Sequence, residues 1–259
     1  MLICRKLLPG LIALVLSACI DESAAPIATV QQPRIFGSAR GIDVPTDASD
    51  MLNELRGSGL DFVARYYREP GSRWPTLSPS EAQRLSSLGL TIVAVWESKS
   101  HNPAHFSYAS GYADAISAYT QASAVGQPAG SAIYFAIDFD AGPEALGLVD
   151  QYFRGVAAGF ASTGGGRGKY KIGVYGSGAV CAAVKGARLA EYSWLSNSTA
   201  WAGSLDYDGW NIRQGGRLAE LSFNHDFDEA RQEYGSFRLS HLDVAAPYEA
   251  LSLQQSRGE

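Results

Sequence analysis

The sequence predicts an α/β fold: a TIM-like barrel of eight strands with about five helices, its last strands poorly covered. Three observations carry this. Eight β-rich runs recur along the chain, helical patterns fill the first five gaps between them, and 259 residues suit one barrel domain. Repeated β-α units imply parallel strands, and eight strands favour closure.

The strand runs are Gly41 to Val44, Asp61 to Tyr67, Thr91 to Glu97, Ala132 to Asp140 and Tyr170 to Gly176, then weaker ones at Tyr192 to Ser196, Gly209 to Gln214 and Phe223 to Asp228. The clearest helix start is Ser78-Pro79-Ser80-Glu81, with Ser as N-cap, Pro at the first helical position and Glu completing a capping box. Gly89 supplies its stop. Tyr108 to Val125 is a second helix, closed by Gly126. Pro143 to Ala161 is a third, with Leu146, Val149, Phe153, Val156 and Phe160 at helical spacing. Ala179 to Ala190 is a fourth, and Asp50 to Arg56 a weaker one. The last three strand runs lie too close together for crossover helices. Gly164-Gly165-Gly166-Arg167-Gly168 precedes a strand, so it reads as a loop and not as a nucleotide cradle.

Residues 1–18 read as a signal peptide. Arg5 and Lys6 precede a short apolar stretch, too short to span a membrane. Leu16-Ser17-Ala18-Cys19 resembles the lipobox of bacterial lipoproteins, which implies a lipid on Cys19 and attachment to a membrane through acyl chains. An ordinary signal with a coincidental Cys is the alternative. Residues 19–38 read as a tether, 39–240 as the barrel and 241–259 as a C-terminal tail. This predicts an extracytoplasmic lipoprotein, periplasmic or at the cell surface. Of three cysteines only Cys181 would remain unmodified, among small apolar neighbours, as a buried structural thiol. A net charge of −5 argues against nucleic acid as partner.

Carboxylates end the strands, where such barrels do chemistry. In Ile133 to Asp140, period two puts Tyr134, Ala136, Asp138 and Asp140 on one face, towards the barrel interior. Two such acids repel, which raises one pKa and lets the pair divide acid and base work. Asp43 ends the first strand, Glu97 the third, and Asp226 and Asp228 the eighth. Aromatics end strands as well: Tyr66, Tyr67, Trp96, Tyr175 and Trp194. Flat apolar faces beside carboxylates suit sugar rings.

These runs, Gly41-Ile42-Asp43-Val44, then Tyr134 to Asp140, Gly173 to Ser177, Trp194 with Ser196, Gln214 and Asp226, resemble the strand ends of glycoside hydrolase family 25 muramidases. They resemble more closely the related bacterial glycoside-hydrolase-like domain family of unknown function. The match in order and spacing covers about residues 38–240. The resemblance implies a barrel, cell-wall glycan as substrate class, and Asp43, Asp138, Asp140 and Asp226 as active-site acids. One departure stands out. The muramidases carry Asp-x-Glu on the fourth strand with Glu as proton donor, whereas here the second acid is Asp140, one methylene shorter.

The leading expectation is a glycoside hydrolase, monomeric and without cofactor, acting on peptidoglycan or a related polysaccharide. Asp140 would be its general acid and Asp138 its nucleophile or charge stabiliser. Glu97, Tyr66, Trp96, Tyr175, Trp194, Gln214 and Asp228 would bind substrate. A non-catalytic glycan-binding lipoprotein is the alternative. A metal-dependent deacetylase would need His101 and His105 to converge on one Asp, and Pro103 between them opposes that, so no metal is expected. Ser177 lacks a nucleophile elbow, and His225 reads as structural.

Overall fold

The computed structural model describes residues 38–163, 168–231 and 233–240. The signal, Cys19, tether and tail readings, and most of the glycine-rich loop, fall outside them. Among the described residues no helix is long and apolar enough to cross a membrane.

Eight strands form a closed barrel in chain order: β1 (Ser38–Asp43), β2 (Phe62–Tyr67), β3 (Thr91–Trp96), β4 (Ala132–Ala136), β5 (Lys171–Gly176), β6 (Tyr192–Leu195), β7 (Ile212–Gln214) and β8 (Asp226–Arg231). Among the described residues five α-helices accompany them: α1 (Leu52–Gly57), α2 (Pro79–Ser87), α3 (Tyr108–Val125), α4 (Pro143–Ser162) and α5 (Gly178–Gly186). Short 3₁₀ turns precede α1 and α3. Strands β1 to β7 are mutually parallel. The less regular last part of the barrel is β8, which departs from the parallel sheet that the β-α repeats imply and runs antiparallel to both β7 and β1. No helix separates β7 from β8. The chain turns back through residues 215–225, with Gly215 N–H donating to Phe227 O and Phe227 N–H to Gly216 O. A return of that kind makes an antiparallel neighbour.

Side chains divide by period two. Ala39, Phe62, Ala64, Val93, Val95, Tyr134, Trp194, Ile212 and Ala230 fill the interior. Ile42, Val63, Ile92, Ala94, Trp96, Ile133, Phe135 and Val174 face outward into the larger core beneath the helices. Gly41 and Gly173 make room within the interior: a β-carbon at either would drive into the ring of Phe62 or Tyr134.

The helix starts and stops follow their sequence signals. Ser78 Oγ accepts from Glu81 N–H, and Gly89 and Gly126 turn their helices off with φ of +89° and +85°. The capping box is not completed. The Glu81 side chain instead turns inward, wholly buried, to pair with Arg65 and accept from Ala48 N–H. A buried guanidinium needs its carboxylate more than an exposed helix end needs a second cap.

Helices α3 and α4 pack backbone to backbone. A β-carbon on Gly111 would lie 2.0 Å from Tyr152 O, and one on Gly155 2.1 Å from Tyr108 O. Overpacking of this kind costs about 1–3 kcal/mol. Gly155→Ala is therefore expected to destabilise by about that amount. Gly147→Ala, on the same helix with open space around its α-carbon, should stabilise by about 0.5–1 kcal/mol. Urea unfolding of both variants measures the contrast.

Candidate active site

The mouth at the C-terminal ends of β1 to β7 opens into a basin of about 280 Å³ lined by Asp43, Tyr66, Glu97, Asp138, Tyr175, Trp194, Gln214 and Asp226. Residues distant along the chain converge here because each stands at or beside the mouth end of a strand on the interior parity, Asp226 at the start of the reversed β8 and the others near the ends of theirs.

Asp43 forms the floor and is almost fully buried. Tyr66 Oη donates to its Oδ1 at 2.6 Å and Gln214 Nε2 to its Oδ2 at 2.8 Å. Burial is the largest influence and lifts its pKa to about 6. The two donated hydrogen bonds pull the other way, and Asp226 and Glu97 add to the rise. Gln214 is held in turn, its Oε1 accepting from Tyr175 Oη and Asn197 N–H. Tyr175 stands edge-on to Trp194, ring centres 5.3 Å apart.

Glu97 and Asp138 form the wall across β3 and β4. A carboxylate oxygen of each, with a ring nitrogen of His101, lie within 4.8 Å of one another. Burial raises both pKa values. Arg68 opposes the rise at Glu97, and His101 opposes it at Asp138. Arg68 Nη1 stands 3.5 Å from Glu97 Oε2. His101 Nδ1 lies 3.0 Å from Asp138 Oδ2 and 2.9 Å from the Asp138 carbonyl oxygen. A carbonyl only accepts, so this nitrogen carries a proton. A cation at the cluster would have to use Nε2 or displace that contact. The deacetylase geometry does not form, because His105 pairs instead with Asp114 at 2.9 Å.

Three expected site residues lie elsewhere. Asp140 is outside the basin. Strand β4 stops at Ala136, Asp138 N–H donates to Ser100 O, and the turning chain carries Asp140 outward to accept from Ala202 N–H at 2.9 Å. Trp96 faces the outer core, buried against the helices. Its neighbour Glu97 takes the inward parity, so Trp96 cannot. Asp228 lies inside the barrel below the basin, fully buried, accepting from Trp194 Nε1 at 2.9 Å. Since β8 is reversed, it begins at the mouth, and Asp228 is two residues deeper than Asp226.

Burial drives the Asp228 pKa well up, and the neighbouring Asp43 charge adds to it. Its Oδ2 is buried without a hydrogen-bond partner in normal geometry, which suits a protonated carboxyl rather than an anion. Elsewhere, Cys181 is wholly buried, its thiol pushed up to about 12 by burial. Ser177 caps α5, accepting from Val180 N–H. His225 Nε2 accepts from Leu218 N–H within its own loop.

Comparison with known proteins adds the following. The family described as Rv2525c-like, glycoside hydrolase-like domain matches residues 53–244. "Uncharacterized protein YbfG" of Bacillus subtilis (strain 168) is 32% identical over 168 residues, 61% of this chain, but the match covers only 23% of that protein's length. The Tat-secreted protein Rv2525c of Mycobacterium tuberculosis, solved in complex with HEPES, superposes with a TM-score of 0.63 at 21% identity, covering 77% of this chain and 98% of that one. The modular autolysin LytC of Streptococcus pneumoniae, solved with a synthetic peptidoglycan ligand, gives 0.51 at 11% identity over 74% of this chain and 46% of that one. At these identities the structural likenesses concern the fold alone.

The Asp228 geometry has a consequence for stability. A carboxyl whose folded pKa is raised holds its proton in the folded state at pH values where the unfolded chain has lost it. Stability is then full below the ordinary carboxyl range and falls as pH rises towards the raised value. Asp228→Asn keeps the acceptor for Trp194 and the neutral shape. Its melting temperature should match wild type near pH 4 and exceed it increasingly towards pH 8. A variant less stable than wild type throughout would mean that Asp228 is ionised in the folded protein.

Proposed function

We propose that this chain, which belongs to the Rv2525c-like, glycoside hydrolase-like domain family, cleaves glycosidic bonds of a cell-wall glycan in the acid-lined basin of its barrel. The observation that carries this reading is the Glu97–Asp138 pair, two carboxyl groups with oxygens within 4.8 Å at an open mouth. A pair that close favours the retaining arrangement, in which the carboxyl groups stand roughly 5–5.5 Å apart, over the inverting one, which needs roughly 6.5–9.5 Å to admit a water.

Of the two, Asp138 is the one to stay ionised, since the His101 N–H reaches it at 3.0 Å while Arg68 stands off Glu97 at 3.5 Å. Glu97 then holds the proton. It passes that proton to the glycosidic oxygen as the bond to the anomeric carbon breaks. Asp138 attacks that carbon, forming a covalent glycosyl intermediate, and the developing positive charge is stabilised by the Asp43 and Asp226 side chains. A water then adds to the anomeric carbon, frees Asp138 and returns a proton to Glu97. Tyr175 and Trp194 line the cleft beside the sugar.

The proposal extends to location: an extracytoplasmic, monomeric domain, with residues 1–18 as signal, Cys19 as the lipidated residue, 19–38 as tether and 241–259 as tail. Its support is the Leu16 to Cys19 pattern and the fold shared with the mycobacterial neighbour, a Tat-secreted protein. A second reading, glycan binding without turnover, draws on the ion pairs that engage both acids, Arg68 with Glu97 and His101 with Asp138.

Digestion of purified peptidoglycan, read as new reducing ends, decides between them. Glu97→Gln and Asp138→Asn should each lower the rate by about 10²–10⁴, the range for losing an acid or base. Asp140→Asn should change it less than about threefold. Release of no reducing ends by wild type, with glycan still pulled down, would leave the binding reading standing. Activity should also fall as pH drops through about 6, where Asp43 takes up its proton, and Asp43→Asn should abolish that limb along with much of the rate.

A further inference from the structure

Beside the basin lies a groove of about 440 Å³ that the mechanism leaves unused. The loop between β2 and α2 forms it, with Arg68, Glu69, Gly71, Trp74 and Thr76, and Gln121 of α3 closes the far side. Trp74 is 43% exposed there, one of the few large apolar side chains on the described surface. The Arg73 guanidinium lies 5.4 Å above its ring centre.

Arg68 joins groove and basin. It lines the groove, stacks 4.5 Å over the ring of Tyr66 and faces Glu97. Its guanidinium is far from saturated: Nε has no hydrogen-bond partner, and the charged contact to Glu97 is a long 3.5 Å. The acid of the groove is matched separately, Glu69 pairing with Lys99 at 3.0 Å. Charge is therefore segregated. The basin carries Asp43, Glu97, Asp138 and Asp226, while the groove is lined by Arg68 and the flat indole of Trp74, with the exposed Arg73 guanidinium over that ring. An anionic sugar is repelled by the first and attracted by the second.

We propose that the Trp74 groove is a saccharide subsite continuous with the basin, where a pyranose ring bearing a carboxylate stacks on Trp74 with its acid group towards Arg73 and Arg68, so that a neutral sugar occupies the basin. This rests on the glycan reading above and specifies which sugar of an alternating chain sits where.

Isothermal titration of the full chain tests it, in an Asp138→Asn background so that no cleavage intervenes. Two tetrasaccharides serve as probes: a neutral N-acetylglucosamine oligomer and a peptidoglycan tetrasaccharide carrying free muramic carboxylates. The acidic probe should bind more tightly. Trp74→Ala should weaken both by about tenfold, within the range of an aromatic stacking contact, and Trp74→Phe should recover most of it. Arg73→Gln should weaken only the acidic probe and reduce its salt dependence. Trp74 and Arg73 are surface residues, and circular dichroism of each variant checks the fold. Unchanged affinity in Trp74→Ala while Asp43→Asn weakens binding would overturn the subsite and spare the basin. Equal affinity for both probes, indifferent to Arg73→Gln, would overturn the acidic-sugar assignment. If neither probe binds any form of the protein, the subsite and the glycan reading fall together.

Discussion

Strand β8 runs against both of its neighbours, and the ladder it makes with β1 sets Asp226 opposite Asp43 and Asp228 opposite Gly41. On its other side Asp228 is opposite Gln214. Much of the mouth follows from these pairings. In a parallel barrel the later residue of a strand lies nearer the mouth, so Asp228 would have been the exposed acid and Asp226 the deeper one. The reversal exchanges them. Two carboxylates from the three-residue stretch Asp226-Phe227-Asp228 thereby meet different surroundings, one open to solvent and one walled by Trp194 and the interior.

Depth then sorts the electrostatics. The floor acids are met by neutral donors: Tyr66 and Gln214 on Asp43, Trp194 on Asp228. A neutral donor steadies an anion without cancelling the cost of its burial, so both acids hold protons to higher pH than usual. Cationic partners come only at the rim, Arg68 at Glu97 and His101 at Asp138. Orientation is secured as well. Gln214 Oε1 accepts from a backbone N–H, that of Asn197, which cannot reverse its role, so the amide nitrogen must face Asp43.

The sequence made the barrel legible because strand runs and helix caps are local signals. Ser78, Gly89 and Gly126 mark the ends of α2 and α3 by chemistry that needs no tertiary partner. Parity carried most of the basin too: Asp43, Glu97, Asp138 and Gln214 are inward because their strands alternate. Applied to β3 it would also have excluded Trp96, since Glu97 and Trp96 cannot share a face. What parity could not supply was where β4 ends. The run Ile133 to Asp140 alternates throughout, yet Ser100 O captures the Asp138 N–H and the chain leaves the sheet. That bond comes from the loop after β3, and no local pattern in Ile133 to Asp140 encodes it. The direction of β8 was hidden for a related reason. A short connection without a helix rules out a crossover but does not reveal on which edge the strand returns. Trp74 carried no signal at all, being one aromatic in a loop of Gly, Pro and Ser.

The position of the proposed proton donor follows from the same early end of β4. When a strand supplies both acids two residues apart, the pair lies along one backbone and its separation is set by strand rise. Here Asp140 turns away to Ala202, and the partner of Asp138 comes instead from the adjacent strand, where Glu97 follows Trp96. Neighbouring strands lie about 4.8 Å apart, so a cross-strand pair needs reach rather than rise. Glu97 has that reach through the methylene that Asp140 lacks. Under the proposed mechanism, then, the shortened acid on the fourth strand does not cost the site its donor, since the third strand carries a longer one with an oxygen within 4.8 Å of Asp138. Arg68 completes the arrangement. It faces the proposed donor on one side and the groove on the other, so a residue beside that carboxyl also borders the place where the adjoining sugar would lie.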